Sequence, residues 1–473
     1  MLSQVLDTRD DLTDLRKEHP ALAQRFVQLR DQFGQPPEPS PPMALPADAS
    51  TDMSSLMRAA EDRRRLVDQF NTVLAEIRVL DGFASFGLPP ATGDLLAQAA
   101  YGPVVIFNVS RHRSDALLLT ETGVSSVGLP DLTIDTLINR ASAFHLALHI
   151  ATNPDVSSSA RKAGQSGIRE VLEWLWDAAA EPVLDALGYT SQPKAPDEWP
   201  RLWWVPGGLL GLLPLHAAGY HVDSSGDQGR RSVMDRVISS YAPTIRALRY
   251  ARQHTTTAPP QGRALIVAMP TTPGVTGRML YVSAEVAKVA KRLPEYVLLT
   301  EPDAPNGNPP VDSLPTKANV LVHLPGCTIA HFACHGATDP TDPSKSLLLL
   351  HDHDRDPLTV ASLTPINLDH AELAYLSACS TAFTSATELI DEAIHLSSAF
   401  QLAGFPHVIG TLWEIDDATA AEVADTFYEN LRTRQGAVNT SQAADALHGS
   451  IRAVRDRFPR TPSLWAAYLH VGA

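Results

Sequence analysis

The spacing of hydrophobic and polar positions changes period along the chain. Over the first 80 residues apolar side chains recur at helical intervals among charges. Leu12, Leu15, Leu22, Phe26, Leu29 and Phe33 predict one amphipathic helix, and Leu56, Met57, Ala60, Phe70, Leu74 and Ile77 predict a second. The Pro-rich stretch 35–42 separates them as an extended break. Both apolar stripes need a partner, either the domain behind them or further helices ahead. On the second alternative Met1 is a cut rather than a natural beginning, and a longer open reading frame is expected upstream.

From about residue 100 the pattern becomes that of buried strands alternating with helices. Val104–Val109 and Ala116–Thr120 predict strands, a helix runs from near Ile168 to Leu187, and Leu202–Pro206 predicts a further strand before the Gly/Leu/Pro turn 207–214. The polar stretch 253–260 reads as a boundary. The alternation then resumes with strands at Ala264–Ala268 and Tyr296–Leu299 around a helix at Ala284–Leu293, and a surface loop at 301–310. Strands follow at Thr328–Cys334, Leu347–Leu350, Leu373–Cys379 and Val408–Trp413. A helix over Asp391–Leu402 stops at Gly404 and Pro406, and two closing helices carry Val423/Phe427/Leu431 and Leu447/Ile451/Val454/Phe458. The expected fold is α/β, a mostly parallel sheet flanked by helices, in two consecutive units (95–255 and 262–473) after a helical segment (1–85).

Composition narrows the function classes. A chain of 473 residues with 44% hydrophobic and 19% charged residues buries a substantial core. The net charge of −15, with no basic stripe, argues against direct nucleic-acid binding and against docking on anionic membranes. No apolar run has the length of a membrane span, and the N-terminus lacks the apolar core of a signal peptide. Cys327, Cys334 and Cys379 are too few and too clustered for a disulfide framework, which points to a reducing, cytoplasmic location.

The chemistry gathers at two predicted strand ends. One apolar run ends at Cys334-His335-Gly336 and another at Cys379, 44 residues later. Carboxyl ends of parallel strands are where open α/β sheets bind ligands. A thiol is weakly ionised at neutral pH and needs a proton-accepting neighbour, which His335 can be; the same imidazole can protonate a leaving amine. Gly336 could face a developing oxyanion with its N–H, together with that of Cys379. A buried thiol and a turn histidine would give the same residues without any chemistry.

Other residues admit plainer readings. In His331-x-x-Cys334-His335 a strand's alternation turns Cys334 away from His335, so a metal site is not expected there. The cluster 351–356 (His-Asp-His-Asp-Arg-Asp) falls at a hairpin tip and reads as a solvated turn rather than a cation site. Asp416 and Asp417 open a helix as N-cap and first-turn acid. Glu285 reads as a surface or capping acid, and Trp203-Trp204 as core.

His331-Phe-Ala-Cys-His-Gly336 and Leu376-Ser-Ala-Cys-Ser-Thr381 resemble the two signature motifs of CHAT domains, the caspase- and separase-like cysteine peptidases. Asp391-Glu392, Gly410-Thr-Leu-Trp413, Asp417, Phe427-Tyr428 and Pro462…Trp465 follow the family's order. Pro206-Gly-Gly-Leu209 and Leu213-Pro-Leu215 match its entry motif. The resemblance spans roughly 200–473. It implies a caspase-like sheet in which His335 is base and acid, Cys379 the nucleophile and Gly336 an oxyanion donor, with no third orienting carboxylate, metal or cofactor. It further implies that Asp417, with Asp416 and Trp413, binds substrate, Asp417 pairing with a basic P1 residue.

By the same resemblance, residues 95–255 are a degenerate caspase-like unit without a cysteine. The N-terminal helices are then the end of a tetratricopeptide array that receives a regulatory protein. The expected partner is a protein substrate in immunity or cell-death signalling, a gasdermin-like pore-former among the conceivable targets. Self-cleavage in the 301–315 loop is a question the sequence leaves open. The alternative functions are a catalytically silent scaffold that binds protein partners, and acyl transfer by the same dyad.

Overall fold

The N-terminal amphipathic stretch folds as two helices, Pro20–Gly34 (α1) and Ala49–Arg78 (α2). The computed structural model describes residues 15–34, 49–195, 199–222, 230–253, 262–275, 279–302, 310–337, 345–377 and 395–473, apart from 17, 85, 89, 90, 364, 365, 367 and 369. Residues 1–92 form one compact unit and 93–473 another. In the first, the two apolar stripes cover each other: Leu15, Phe26 and Leu29 meet Val73, Ile77, Phe83 and Phe86. The Phe26 ring lies 5.1 Å from Phe86, edge-on, and 5.3 Å from Phe70. At these positions each stripe finds its partner in the neighbouring helix of the same unit, where the expectation was the domain behind them or further helices ahead.

The second unit begins with an antiparallel meander of Val104–Val109 (β1), Ser114–Thr120 (β2) and Gly123–Gly128 (β3). Helices Ile134–Thr152 (α3) and Ser158–Leu175 (α4) follow. A Cβ on Gly164 of α4 would stand 2.7 Å from the Ala147 carbonyl of α3, so the missing side chain is what lets the two backbones approach. The helix expected from 168 to 187 is interrupted. A π turn at Trp176–Ala180 precedes a short helix Glu181–Ala186, because Pro182 has no N–H for the regular ladder.

Strands Arg201–Val205 (β4) and Ile238–Tyr241 (β5), and helix Ile245–Gln253 (α5), complete this part. Beyond residue 261 come Arg263–Ala268 (β6), Val282–Arg292 (α6), Tyr296–Thr300 (β7), Lys317–His323 (α7) and Cys327–Ala333 (β8). A small antiparallel sheet of Gly336–Ala337 (β9), Leu347–Leu348 (β10) and Leu358–Thr359 (β11) branches off. Then follow Leu373–Leu376 (β12), His395–Ala403 (α8), His407–Thr411 (β13), Asp417–Asn430 (α9), Ala443–Arg457 (α10) and Tyr468–Gly472 (β14). Gly404 ends α8 at φ +121°, where a Cβ would meet the Leu368 carbonyl at 2.7 Å.

One sheet of eleven strands runs in the order β3-β2-β1-β4-β5-β14-β13-β12-β8-β6-β7. Strands from both sides of the 253–260 boundary thus share a single sheet. The joint is β14, parallel to β5 and antiparallel to β13. It is pinned from the earlier strands: the Trp203 indole N–H donates to the Gly472 carbonyl (2.7 Å), and Arg201 donates to the Ala473 carbonyl (3.2 Å). Both tryptophans of β4 are buried, as core residues should be. A second clamp ties α10 to the same region. The fully buried Arg455 guanidinium makes a two-pronged bond to Asp235, at 2.6 and 2.9 Å. Burial alone would raise the Asp235 carboxyl, but the bonds and charge of Arg455 hold it down at about 2. Among the described residues no helix is long and apolar enough to cross a membrane.

Candidate active site

Strand β8 is buried along its whole length because it sits between β12 and β6, with side chains sealed on both faces. It pairs in parallel with β12 so that Phe332 is opposite Leu376, and the Ser377 N–H extends the pairing to the Phe332 carbonyl at 2.9 Å. The two strands therefore stop level with each other. His335 stands three residues past Phe332, and Cys379 three residues past Leu376 in sequence. Cys379 itself lies outside the described residues. The strand that leads to it is adjacent and parallel to the strand that leads to His335.

Past β8 the chain leaves the large sheet. Cys334 is 1% exposed, whereas the His335 side chain is 22% exposed. The alternation that turns Cys334 inward therefore turns the imidazole outward. The Leu349 N–H donates to the His335 carbonyl (2.8 Å), and Gly336 stands opposite Leu348. Opposed pairs in an antiparallel ladder alternate, so the Gly336–Leu348 pair is the one that exchanges no bonds. That turns the Gly336 N–H away from β10.

Three acids stand around the imidazole's side of the sheet. The Glu414 carboxylate is 3.6 Å from His335 Nδ1 and half-exposed. Asp416 caps α9, its Oδ1 accepting from the Thr419 N–H (3.1 Å) and hydroxyl (3.0 Å). Asp417 feels Asp416, Glu414 and His335 together. Its carboxyl is raised above the ordinary value, mainly by burial and further by the two neighbouring acids, against the lowering effects of the Leu280 N–H and His335. A cationic group entering here meets an acidic rim. Trp413 is placed differently. It is 5% exposed, its N–H donates to the Ser463 carbonyl (3.0 Å) and its ring meets Phe144 edge-on at 5.5 Å. Its placement is that of a core side chain, facing the joint between the earlier helices and β14's approach.

Behind the strand ends lies a polar cluster absent from the sequence reading. Glu285 of α6 is 3% exposed rather than a surface acid. It accepts a hydrogen bond from the Ser377 hydroxyl, and its Oε1 is 3.2 Å from His331 Nε2. His331 Nδ1 in turn lies 3.2 Å from the Tyr428 hydroxyl, and the ring stacks on Tyr375 at 5.0 Å. One signal was available: Glu285 falls on the same helical face as Val282, Val286 and Val289, all buried.

Among the described residues no three His, Cys, Asp or Glu side chains are grouped to hold a metal ion. The 351–356 cluster is a turn tied down by other bonds. Asp352 accepts the Lys317 N–H that opens α7 (3.0 Å), His351 Nδ1 is 2.8 Å from Glu301, and Asp356 pairs with the Lys317 ammonium (2.6 Å).

An open, mostly parallel sheet, with neighbouring strands leading to a His-Gly pair and to a cysteine, is the caspase-like cysteine peptidase fold. The chain belongs to the CHAT domain family, which matches residues 169–473. Its fold is similar to that of Saccharomyces cerevisiae separase in two crystal structures of the separase–securin complex. The TM-scores are 0.53 and 0.55 at 10% and 11% identity, covering 80% and 86% of this chain. The chain spans about a third of the separase chains it matches, 31% and 32%. The Arg-specific cysteine proteinase gingipain R of Porphyromonas gingivalis gives a TM-score of 0.37 at 10% identity, over 69% of each chain. No curated protein matches the chain by sequence.

Proposed function

We propose that the chain is a cysteine endopeptidase that uses Cys379 as nucleophile and His335 as general base and acid. The observation that carries this reading is the register of β8 and β12, which brings the strand before the imidazole level with the strand before the thiol. In the proposed reaction His335 takes the Cys379 thiol proton as the sulfur attacks the peptide carbonyl. Collapse of the tetrahedral intermediate expels the amine, which takes that proton from His335 and leaves a thioester. Water, deprotonated by His335, then attacks the thioester; the acid leaves and the sulfur recovers its proton. The Gly336 N–H, directed away from β10, is available to bond the oxyanion.

The substrate is proposed to be a protein with a basic residue before the scissile bond, since Glu414 and Asp417 give the site its negative rim. A regulatory protein acting through the N-terminal helices, and a cytoplasmic location, complete the proposal. The test is a proteome-wide cleavage-site screen comparing wild type with Cys379→Ala, run beside labelling by a cysteine-reactive peptide probe. Cleavage after Lys or Arg that vanishes in Cys379→Ala, with labelling lost in Cys379→Ala and kept in Cys334→Ala, supports the peptidase. Absence of both under every activating condition sinks it and leaves a binding scaffold.

A further inference from the structure

We infer that Glu285 is a positioning residue for the Cys–His pair, acting through Ser377 and His331 rather than on the substrate; the inference rests on the peptidase reading above. The geometry is specific. One carboxylate, buried at 3% exposure and delivered by α6, reaches both strands that lead to the reactive residues. On β12's side it accepts the hydroxyl of Ser377, two positions before Cys379; on β8's side its Oε1 stands 3.2 Å from His331, four positions before His335. His331 has its own restraint, Tyr428 at 3.2 Å on the opposite ring nitrogen and Tyr375 stacked on its face.

A buried carboxylate is costly unless its oxygens are bonded, so a plain core position would hold an apolar residue, as Val282, Val286 and Val289 do on the same face. Ser377 is likewise buried, at 2%, with its hydroxyl turned to the helix layer and its N–H to Phe332. What this carboxylate does that a valine could not is bond the end of β12 to α6 through the Ser377 hydroxyl while its Oε1 stands against the His331 ring of β8, which places the two strand ends relative to one another. The separation of the two strand ends sets the distance over which a thiol proton must pass to the imidazole. A misplacement of about 1 Å can cost roughly 10²-fold in rate.

The test uses the full chain with Ser377→Ala, Glu285→Ala and Glu285→Gln. Three quantities are read: kcat and KM for a peptide whose cleavage is lost in Cys379→Ala, the rate of Cys379 alkylation by iodoacetamide followed by peptide mass spectrometry, and the thermal unfolding midpoint. Positioning predicts that Ser377→Ala and Glu285→Ala lower kcat by about 10- to 100-fold with KM within about threefold, and change the alkylation rate at least about threefold. Glu285→Gln, whose amide oxygen still accepts the Ser377 hydroxyl, should recover most of kcat. A cooperatively folded Ser377→Ala with kcat and alkylation within twofold of wild type overturns the inference. If Glu285→Ala fails to fold, Ser377→Ala, which removes one hydroxyl, still decides. Alkylation needs no turnover, so a wild type that cleaves nothing rejects the peptidase reading while the alkylation rates still judge the positioning.

Discussion

Around His335 the side chains divide the work, and substitutions should separate the parts. His335→Ala is expected to cut kcat/KM by at least about 10³-fold, since the proposed base and acid are one residue. Glu414→Gln should cost less than about tenfold, because a half-exposed charge 3.6 Å from the ring is screened by solvent. Steady-state kinetics on one fluorogenic peptide checks both. Asp417 carries a sharper prediction. Its carboxyl is raised by burial, so the folded protein binds that proton more tightly than the unfolded chain does. The charged form therefore opposes folding at neutral pH, and Asp417→Asn should leave the melting temperature unchanged or higher. The same variant should lose preference for Arg over norleucine at P1. In the wild type that preference should fade on acidification earlier than for an ordinary aspartate. An unchanged Arg/norleucine ratio of kcat/KM in Asp417→Asn would reject the selectivity role.

At the scale of elements, the helices and strands that frame the site depend on a few local devices. Asp416 satisfies the first turn of α9, and Asp416→Ala is expected to cost about 1 kcal/mol, read as a shift in the urea midpoint. The α3–α4 crossing relies on Gly164. A valine there must push the Ala147 carbonyl aside, and Gly164→Val should destabilise by about 1–3 kcal/mol or more in the same assay. Strands β1, β2, β4, β6, β7, β8, β12 and β13 were legible because each is a mostly apolar run bounded by turn residues. β14 was not, because His470 and Gly472 interrupt its apolar character and nothing local says that the histidine is buried. β3, rich in Ser and Gly and mostly exposed, has no apolar pattern to read. Glu285 was misplaced for the opposite reason: charge outweighed its position on a buried helical face.

At the scale of the whole unit, the joint around β14 is lined by buried histidines. His470 Nδ1 meets Ser240 at 2.8 Å, His470 Nε2 meets His407 at 3.1 Å, and His216 and His448 lie nearby against Tyr241 and Trp199. Burial, the largest cause in each case, lowers His216, His407 and His448 to about 3, His221 to about 4, and His470 well below its usual value. An unfolded histidine titrates near 6.5, so below that pH the unfolded chain binds protons that the folded one refuses. Stability from these groups is thus complete above about pH 6.5 and falls as the pH drops toward their folded values, each contributing of order 1 kcal/mol per pH unit. The Asp235–Arg455 clamp behaves differently. Its depressed carboxyl contributes stability above about pH 4 that is lost only as the pH nears about 2. Thermal stability should therefore fall steeply between pH 6.5 and 5, well before the Asp235–Arg455 pair is lost. A melting temperature flat across that range would contradict the buried, neutral state of these rings.

The alternation of apolar runs and turns, read along the chain, was enough to set the α/β class, the order of most strands, and the two strand ends that lead to His335 and Cys379. Those features are local: a strand's burial and its exit are encoded in consecutive residues. Other features were decided only in three dimensions. The single eleven-stranded sheet, the insertion of β14 between β5 and β13, the burial of Glu285 against Ser377 and His331, and the inward placement of Trp413 all join residues remote in the chain. A polar side chain's surroundings depend on which distant surface covers it, and no pattern of neighbours in sequence specifies that surface.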